Sequence, residues 1–134
     1  MVFVHALRLC RLARGTGSRT PLPETIVALA SRPGLPAGAD PHAAHRATVR
    51  ASTRAARWFG ARDTCLTRAV VVAALLADRD EVLLHVGLAP AGEGGGPLEG
   101  HAWVTVAGEV VGGSEASMPG GGPTTELTLP VRRR

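Results

Sequence analysis

Apolar residues recur every three to four positions through the first 60 residues, and arginines fill many of the positions between them. This pattern predicts three amphipathic helices, over residues 2–14, 24–30 and 41–59. The third helix follows Asp40 and Pro41, a favoured pair for a helix start, and ends before Gly60. Cys10 lies on the inner face of the first helix, where we expect it to pack as an apolar side chain.

The inner face of the third helix is predicted from residues that recur at helical intervals: Ala44, Thr48, Ala51, Ala55 and Trp58. Arginines cover another face of the same helix. His42 and His45 lie three residues apart among these arginines, without a nearby carboxylate or thiol beyond Asp40. Cations are repelled there, so we expect both histidines to lie on a solvated face and predict no metal site.

The pattern changes at residues 63–77, DTCLTRAVVVAALLA, where an apolar run contains neither glycine nor proline. Asp63 and Thr64 are both suitable N-caps, so we predict a buried helix that begins near Cys65. A cysteine on the first turn of a helix lies beside unpaired amides and the positive end of the helix dipole. Both stabilise the nucleophilic thiolate. The alternative is that Cys65 packs as a small apolar side chain.

Alternating apolar and polar positions replace helical spacing in the second half of the chain. Residues 81–88 form a predicted strand that is apolar on both faces and therefore central in a sheet, with His85 as a satisfied interior or edge side chain. Residues 100–111 predict a β-hairpin with His101 at its start. A last strand is predicted over residues 125–131. Helices followed by an antiparallel sheet predict an α+β fold.

A glycine-rich run, residues 89–100, connects the first predicted strand to His101. It lacks the GxxxxGK[ST] pattern of a phosphate-binding loop, so no nucleotide site and no cofactor are predicted. We expect a mobile loop above a cleft.

The composition predicts one domain over residues 1–134, with N-terminal helices in 1–60 and the Cys65 helix and sheet in 63–131. Hydrophobic residues make up 45% of the chain and aromatic residues 3%, so the core must consist of Ala, Val and Leu. Two distant cysteines do not suggest a disulfide framework and favour a reducing, cytoplasmic location. The start of the chain does not have the pattern of a signal peptide. The apolar run at 69–77 is too short to cross a membrane.

The formal net charge is +4, and every basic side chain other than histidine is an arginine. Nucleic-acid binding is not expected, because the arginines are scattered and there is no tyrosine and little other aromatic surface on which bases could stack. A solvated basic surface or an acidic peptide partner is favoured.

A cysteine at a helix start followed by a histidine at a strand start is the arrangement of papain-like and transglutaminase-like enzymes. In it the imidazole deprotonates the thiol and later protonates the leaving amine. Trp103, two residues after His101, is either a wall of the cleft or part of the core.

These residues resemble the stand-alone leader peptidases of lasso-peptide biosynthesis, which have a transglutaminase-like fold. The resemblance covers nearly the whole chain and is carried by the following segments: Cys65-Leu66-x-Arg68-Ala69, Val86-Gly87, Gly100-His101-Ala102-Trp103-Val104 and Val110-Val111-Gly112. It implies a cysteine peptidase with Cys65 as nucleophile and His101 as base. It also implies three partners: the precursor peptide, a leader-recognition protein and an ATP-dependent cyclase.

The resembled family has an acid as the third member of its triad, on the second strand of the hairpin. This sequence has Gly112 and Gly113 there, and Thr105 where the family often has an acidic residue. Glu115 is the nearest carboxylate downstream and the candidate for the acid, and Glu109 is the nearest upstream. Two alternatives to peptide hydrolysis remain: acyl transfer to an amine by the same residues, and a non-catalytic module that only binds peptide.

Overall fold

The structure is a computed structural model that describes residues 2–13, 21–36, 38–60, 64–89, 99–112 and 125–133. The described helices and strands are α1 (Val2–Leu12), α2 (Leu22–Ala30), α3 (Pro41–Phe59), α4 (Cys65–Leu75), β1 (Val82–Ala89), β2 (Glu99–Val106), β3 (Glu109–Val110) and β4 (Thr125–Pro130). This order confirms the predicted α+β layout. The predicted loop over residues 89–100 falls mostly outside the described residues.

The ends of α3 are fixed by its own sequence. The Asp40 side chain accepts hydrogen bonds from the backbone N–H groups of His42 and Ala43, at 3.0 and 3.1 Å. The bond from His42 is the main reason why the pKa of Asp40 lies below its usual value. At the other end Gly60 takes the left-handed conformation, with φ of 61°, and stops the helix. Both predicted boundaries of α3 are confirmed.

The four strands form one antiparallel sheet in the order β3-β2-β1-β4. β1 is therefore an interior strand, as predicted. The β2–β3 turn consists of Ala107 and Gly108, both with positive φ, which matches the twist of a tight hairpin. Register pairs His85 of β1 with Trp103 of β2, so these two rings lie on one face of the sheet. Ala102 and Val104 lie on the other face and are buried.

α4 lies between the other helices and the sheet. It contacts α1, α2 and α3 on one side and β1 and β2 on the other. Every residue from 69 to 77 is buried. A helix that is apolar all round is stable only in such surroundings, because each side finds apolar contacts. No helix among the described residues is long and apolar enough to span a bilayer.

The inner face of α3 carries small side chains. Ala44, Ala51 and Ala55 are fully buried, where α3 packs against α1 and α4. Trp58 was predicted on this face and is instead 56% exposed, with the Arg54 guanidinium 5.1 Å from its ring centroid. An indole is much larger than the alanines that let these helices approach closely, so it lies outside this contact.

Arg133 ties the segment after β4 to the ends of two helices. Its backbone N–H donates to the Ala77 carbonyl at 3.1 Å, and its Nε donates to the Ala30 carbonyl at 2.9 Å. Its Nη1 forms an ion pair with Asp78 at 2.5 Å. The side chain is only partly exposed, which protects these bonds from solvent.

We expect Arg133→Ala to lower the free energy of unfolding by about 1–3 kcal/mol, because it removes a charge-assisted bond to a carbonyl and an ion pair. The neighbouring Arg132 is exposed, and Arg132→Ala is the matched control. Urea denaturation measures both changes. Equal stability of the two variants would contradict a structural role for the Arg133 side chain.

Candidate active site

Thr64 fixes the start of α4. Its side chain accepts a hydrogen bond from the Thr67 N–H at 3.1 Å, and its backbone is extended, as expected for an N-cap. Asp63, the other predicted cap, lies outside the described residues. Cys65 therefore occupies the first position of the helix, as predicted, and it is partly exposed. Cys10 is buried in the core, which confirms its predicted packing role.

A cavity of about 230 Å³ opens beside Cys65. Side chains and backbone from α3, α4, β2 and the segment after β3 line it: His45, Val49, Cys65, Arg68, Ala69, Val72, His101, Ala102, Trp103, Val104 and Val111. Cys65 and His101, the predicted nucleophile and the predicted base, thus both line this cavity. Apolar residues form most of its wall, while the groups capable of acid–base or charge interactions are a thiol, two imidazoles and a guanidinium.

Three aromatic rings are stacked on the face of the sheet that carries His101. Trp103 lies between two histidines, with centroid distances of 5.1 Å to His85 and 6.0 Å to His101. His85 is held on both sides, because its Nε2 lies 2.9 Å from Thr105 Oγ1 and its Nδ1 3.3 Å from Thr128 Oγ1. His85 is therefore satisfied, as predicted, and Trp103 belongs to the cavity wall.

His45 departs from its prediction. It was expected on a solvated face, yet it is half-buried and lines the cavity. His42 is exposed, but its Nδ1 accepts a hydrogen bond from the Gly112 N–H at 3.1 Å. Both histidines face the segment that follows β3, from which they are far apart in sequence. No local pattern could have signalled this contact, since only the packing of α3 beside the hairpin creates it.

Gly112 is held in a conformation and a space that suit only glycine. Its φ is +95°, and a Cβ at this position would lie 2.8 Å from atoms of the His45 ring. The imidazole from α3 thus occupies the space that a side chain at residue 112 would need. Gly113 and Glu115 lie outside the described residues. Glu109 is exposed on β3 and does not line the cavity.

Among the described residues, no three His, Cys, Asp or Glu side chains converge closely enough to hold an ion. A thiol and an imidazole that line one cavity are the groups that nucleophilic catalysis by cysteine requires.

We expect Gly112→Ala to destabilise the fold more than Gly108→Ala, by about 1–3 kcal/mol. Both glycines have positive φ, so both substitutions cost backbone strain of about 1–2 kcal/mol. Only the new methyl group at residue 112 meets the His45 ring, because nothing lies within 4 Å of a Cβ at Gly108. Thermal or urea denaturation of the two variants measures the difference.

The double variant Gly112→Ala with His45→Ala completes this test. Removal of the ring should restore part of the lost stability, and the cycle gives a coupling energy of about 0.5–3 kcal/mol. Equal destabilisation by the two glycine substitutions would mean that the His45 ring moves aside at no cost.

The same site lies within a region that matches a known family. A family model described as the transglutaminase-like superfamily matches residues 6–120, from α1 through β3. Neither a curated protein nor a solved structure matches the chain significantly. The superfamily includes cysteine peptidases and acyl transferases. With four described helices followed by an antiparallel sheet, and with a match over most of its length, the chain belongs to the transglutaminase-like superfamily.

Proposed function

We propose that this protein is a cysteine peptidase that removes the leader from a ribosomally synthesised lasso-peptide precursor. The observation that carries the proposal is the cavity lined by both Cys65, on the first turn of α4, and His101, near the start of β2. The choice of precursor is supported by the resemblance of the CLxRA and GHAWV segments to leader peptidases.

In the proposed reaction, His101 takes the thiol proton and the Cys65 sulfur attacks the carbonyl carbon of the scissile bond. The oxygen becomes an oxyanion, which amides of the first turn of α4 stabilise together with the positive end of the helix dipole. The carbon–nitrogen bond then breaks, and His101 gives its proton to the leaving amine. A thioester remains on Cys65. Water attacks this thioester while His101 accepts the water proton. The carbon–sulfur bond then breaks, His101 returns that proton to the Cys65 sulfur, and the released acid ionises to a carboxylate in solvent.

The stacked rings support the proposed role of His101 as the base. A base that moves a proton between sulfur and nitrogen must keep its ring orientation through both steps. Trp103 supports one side of the His101 ring, and His85, held by two threonines, supports Trp103. This support reduces the need for an orienting acid, because a thiolate–imidazolium pair can function without one. Glu115 remains the candidate for that acid.

The proposed reaction implies two partner proteins. Cleavage of the leader leaves a free amine on the core peptide, and an ATP-dependent cyclase would consume that amine to close the ring. A leader-recognition protein would present the precursor to the cavity. Neither partner requires a nucleotide or metal on this chain.

We expect Cys65→Ala to lower the rate of leader release by at least about 10³-fold, because it removes the nucleophile. His101→Ala should cost about 10²-fold or more through loss of the base. Cys10→Ala is the matched control, since Cys10 is the second cysteine of the chain and is buried away from the cavity. The assay follows the precursor, with its recognition protein, by mass spectrometry.

The masses of the products separate the alternatives. Hydrolysis gives a leader with a free carboxylate, whereas acyl transfer gives an amide adduct. Leader release by Cys65→Ala at the unaltered rate would end the peptidase proposal. Binding of the precursor without any product, in the unaltered protein, would favour a binding module.

A further inference from the structure

The cavity beside Cys65 adjoins two further cavities along α3. The second has a volume of about 510 Å³ and shares His45 and Val49 with the first. The third has a volume of about 410 Å³ and shares Val49 and Arg50 with the second. The three form one row, here called the α3 groove, which begins at the Cys65 cavity and ends at Arg57.

The α3 groove is strongly basic. Four exposed arginines lie on the α3 face that borders it: Arg46, Arg50, Arg54 and Arg57. α3 contains no Asp or Glu, and no carboxylate among the described residues lines any of the three cavities. Asp40 pairs with Arg46 at 3.5 Å, but both side chains are more than half exposed, so water screens that pair.

The arginines have the spacing of a ligand in extended conformation. Arg46, Arg50 and Arg54 are four residues apart on a helix, so each step rises about 6 Å. Alternate residues of an extended peptide are separated by about 6.6–7 Å and point to the same side. From His45 to Arg57 the groove spans about 18 Å along α3, enough for about five extended residues.

Two aromatic rings limit how the Arg54 side chain can move. The Arg54 guanidinium lies over the rings of Phe3 and Trp58, at 5.9 and 5.1 Å from their centroids. Stacking on aromatic faces leaves the edge of the guanidinium available for bidentate bonds to a carboxylate. A pre-oriented donor binds with a smaller loss of entropy than a freely rotating one.

We propose that the α3 groove binds an acidic segment of the substrate peptide, with Asp or Glu at alternate positions, on one side of the bond that is cut. This inference rests on the proposed function, because the occupant is a substrate only if the neighbouring Cys65 cavity, which shares His45 and Val49 with the groove, is the active site. A peptide that lies along the arginines passes His45 and Val49 to reach the cavity, where its carbonyl meets Cys65. A nucleic acid has no acyl group to deliver to Cys65.

Binding is tested with the full chain carrying Cys65→Ala, which prevents turnover. The probe is a fluorescein-labelled peptide of about ten residues, in which Glu alternates with Ser. Its counterpart has Gln in place of Glu. Fluorescence anisotropy should show at least about 10-fold tighter binding of the Glu peptide, and the difference should shrink as salt screens the charges. Equal binding of the two peptides would overturn the proposal.

Charge reversal locates the site. Arg50→Glu with Arg57→Glu should weaken binding of the Glu peptide by at least about 10-fold, because two attractions become repulsions. Arg8→Glu with Arg132→Glu makes the same change in net charge at exposed arginines outside the groove. This control should bind like the parent, and an equal loss in both variants would assign the binding to net charge alone. Circular dichroism checks that all variants are folded.

A protection experiment links the groove to the thiol. In the protein with Cys65 intact, the Glu peptide should slow the reaction of iodoacetamide with Cys65. Cys10 is buried and should not react with iodoacetamide, with or without the peptide. Binding without protection would place the peptide elsewhere. Tighter binding of an oligothymidylate, lost in the Arg50 and Arg57 variant, would identify a nucleic-acid surface instead.

The two proposals fail separately. If Cys65→Ala abolishes leader release but the Glu and Gln peptides bind equally, the peptidase proposal stands and the proposal of acidic specificity is wrong. If Cys65→Ala releases the leader at the unaltered rate, the peptidase proposal is wrong. A preference for the Glu peptide would then identify a peptide-binding site that does not serve thiol catalysis.

Discussion

The burial of α4 on all sides is the constraint on which the rest of the structure depends. Val70, Val71 and Leu75 are among its fully buried side chains, and each contributes about 2 kcal/mol through removal from water. Helices cover one side of α4 and the sheet covers the other. Since a helix so enclosed has only its ends near the surface, the Thr64 cap places Cys65 where the helical layer, the sheet and solvent meet.

The sheet carries a second rigid unit. Ala102 and Val104 pack toward the core, while His101 and Trp103 alternate with them on the opposite face. The stack of His85, Trp103 and His101 is therefore assembled by the pairing of β1 with β2 and needs no long loop. Two groups with the capacity for thiol chemistry are thus carried by regular elements, and such elements hold side chains more accurately than loops do.

The parts of this arrangement that sequence predicts are those encoded locally. Asp40, Gly60 and Thr64 end or begin helices through bonds to their near neighbours, and Ala107-Gly108 turns the hairpin through its own backbone. Motif resemblance added the transglutaminase-like fold. The contact of His45 with Gly112 was missed, because it joins two distant segments and both histidines of α3 sit in an arginine pattern typical of a solvated face. Trp58 was misplaced for a related reason: helical spacing predicts a face but not the space available against it.

α3 packs against other helices on one face and presents charge on the other. Its inner face needs small side chains, since alanines allow close packing against α1 and α4. Its outer face carries the arginines and borders the cavities, so substitutions there change charge without disturbing that packing. His45 lies where the two faces meet the cavity, in the space left by the missing side chain of Gly112. A side chain at residue 112 would therefore press on the His45 ring, at the point where α3 meets the hairpin.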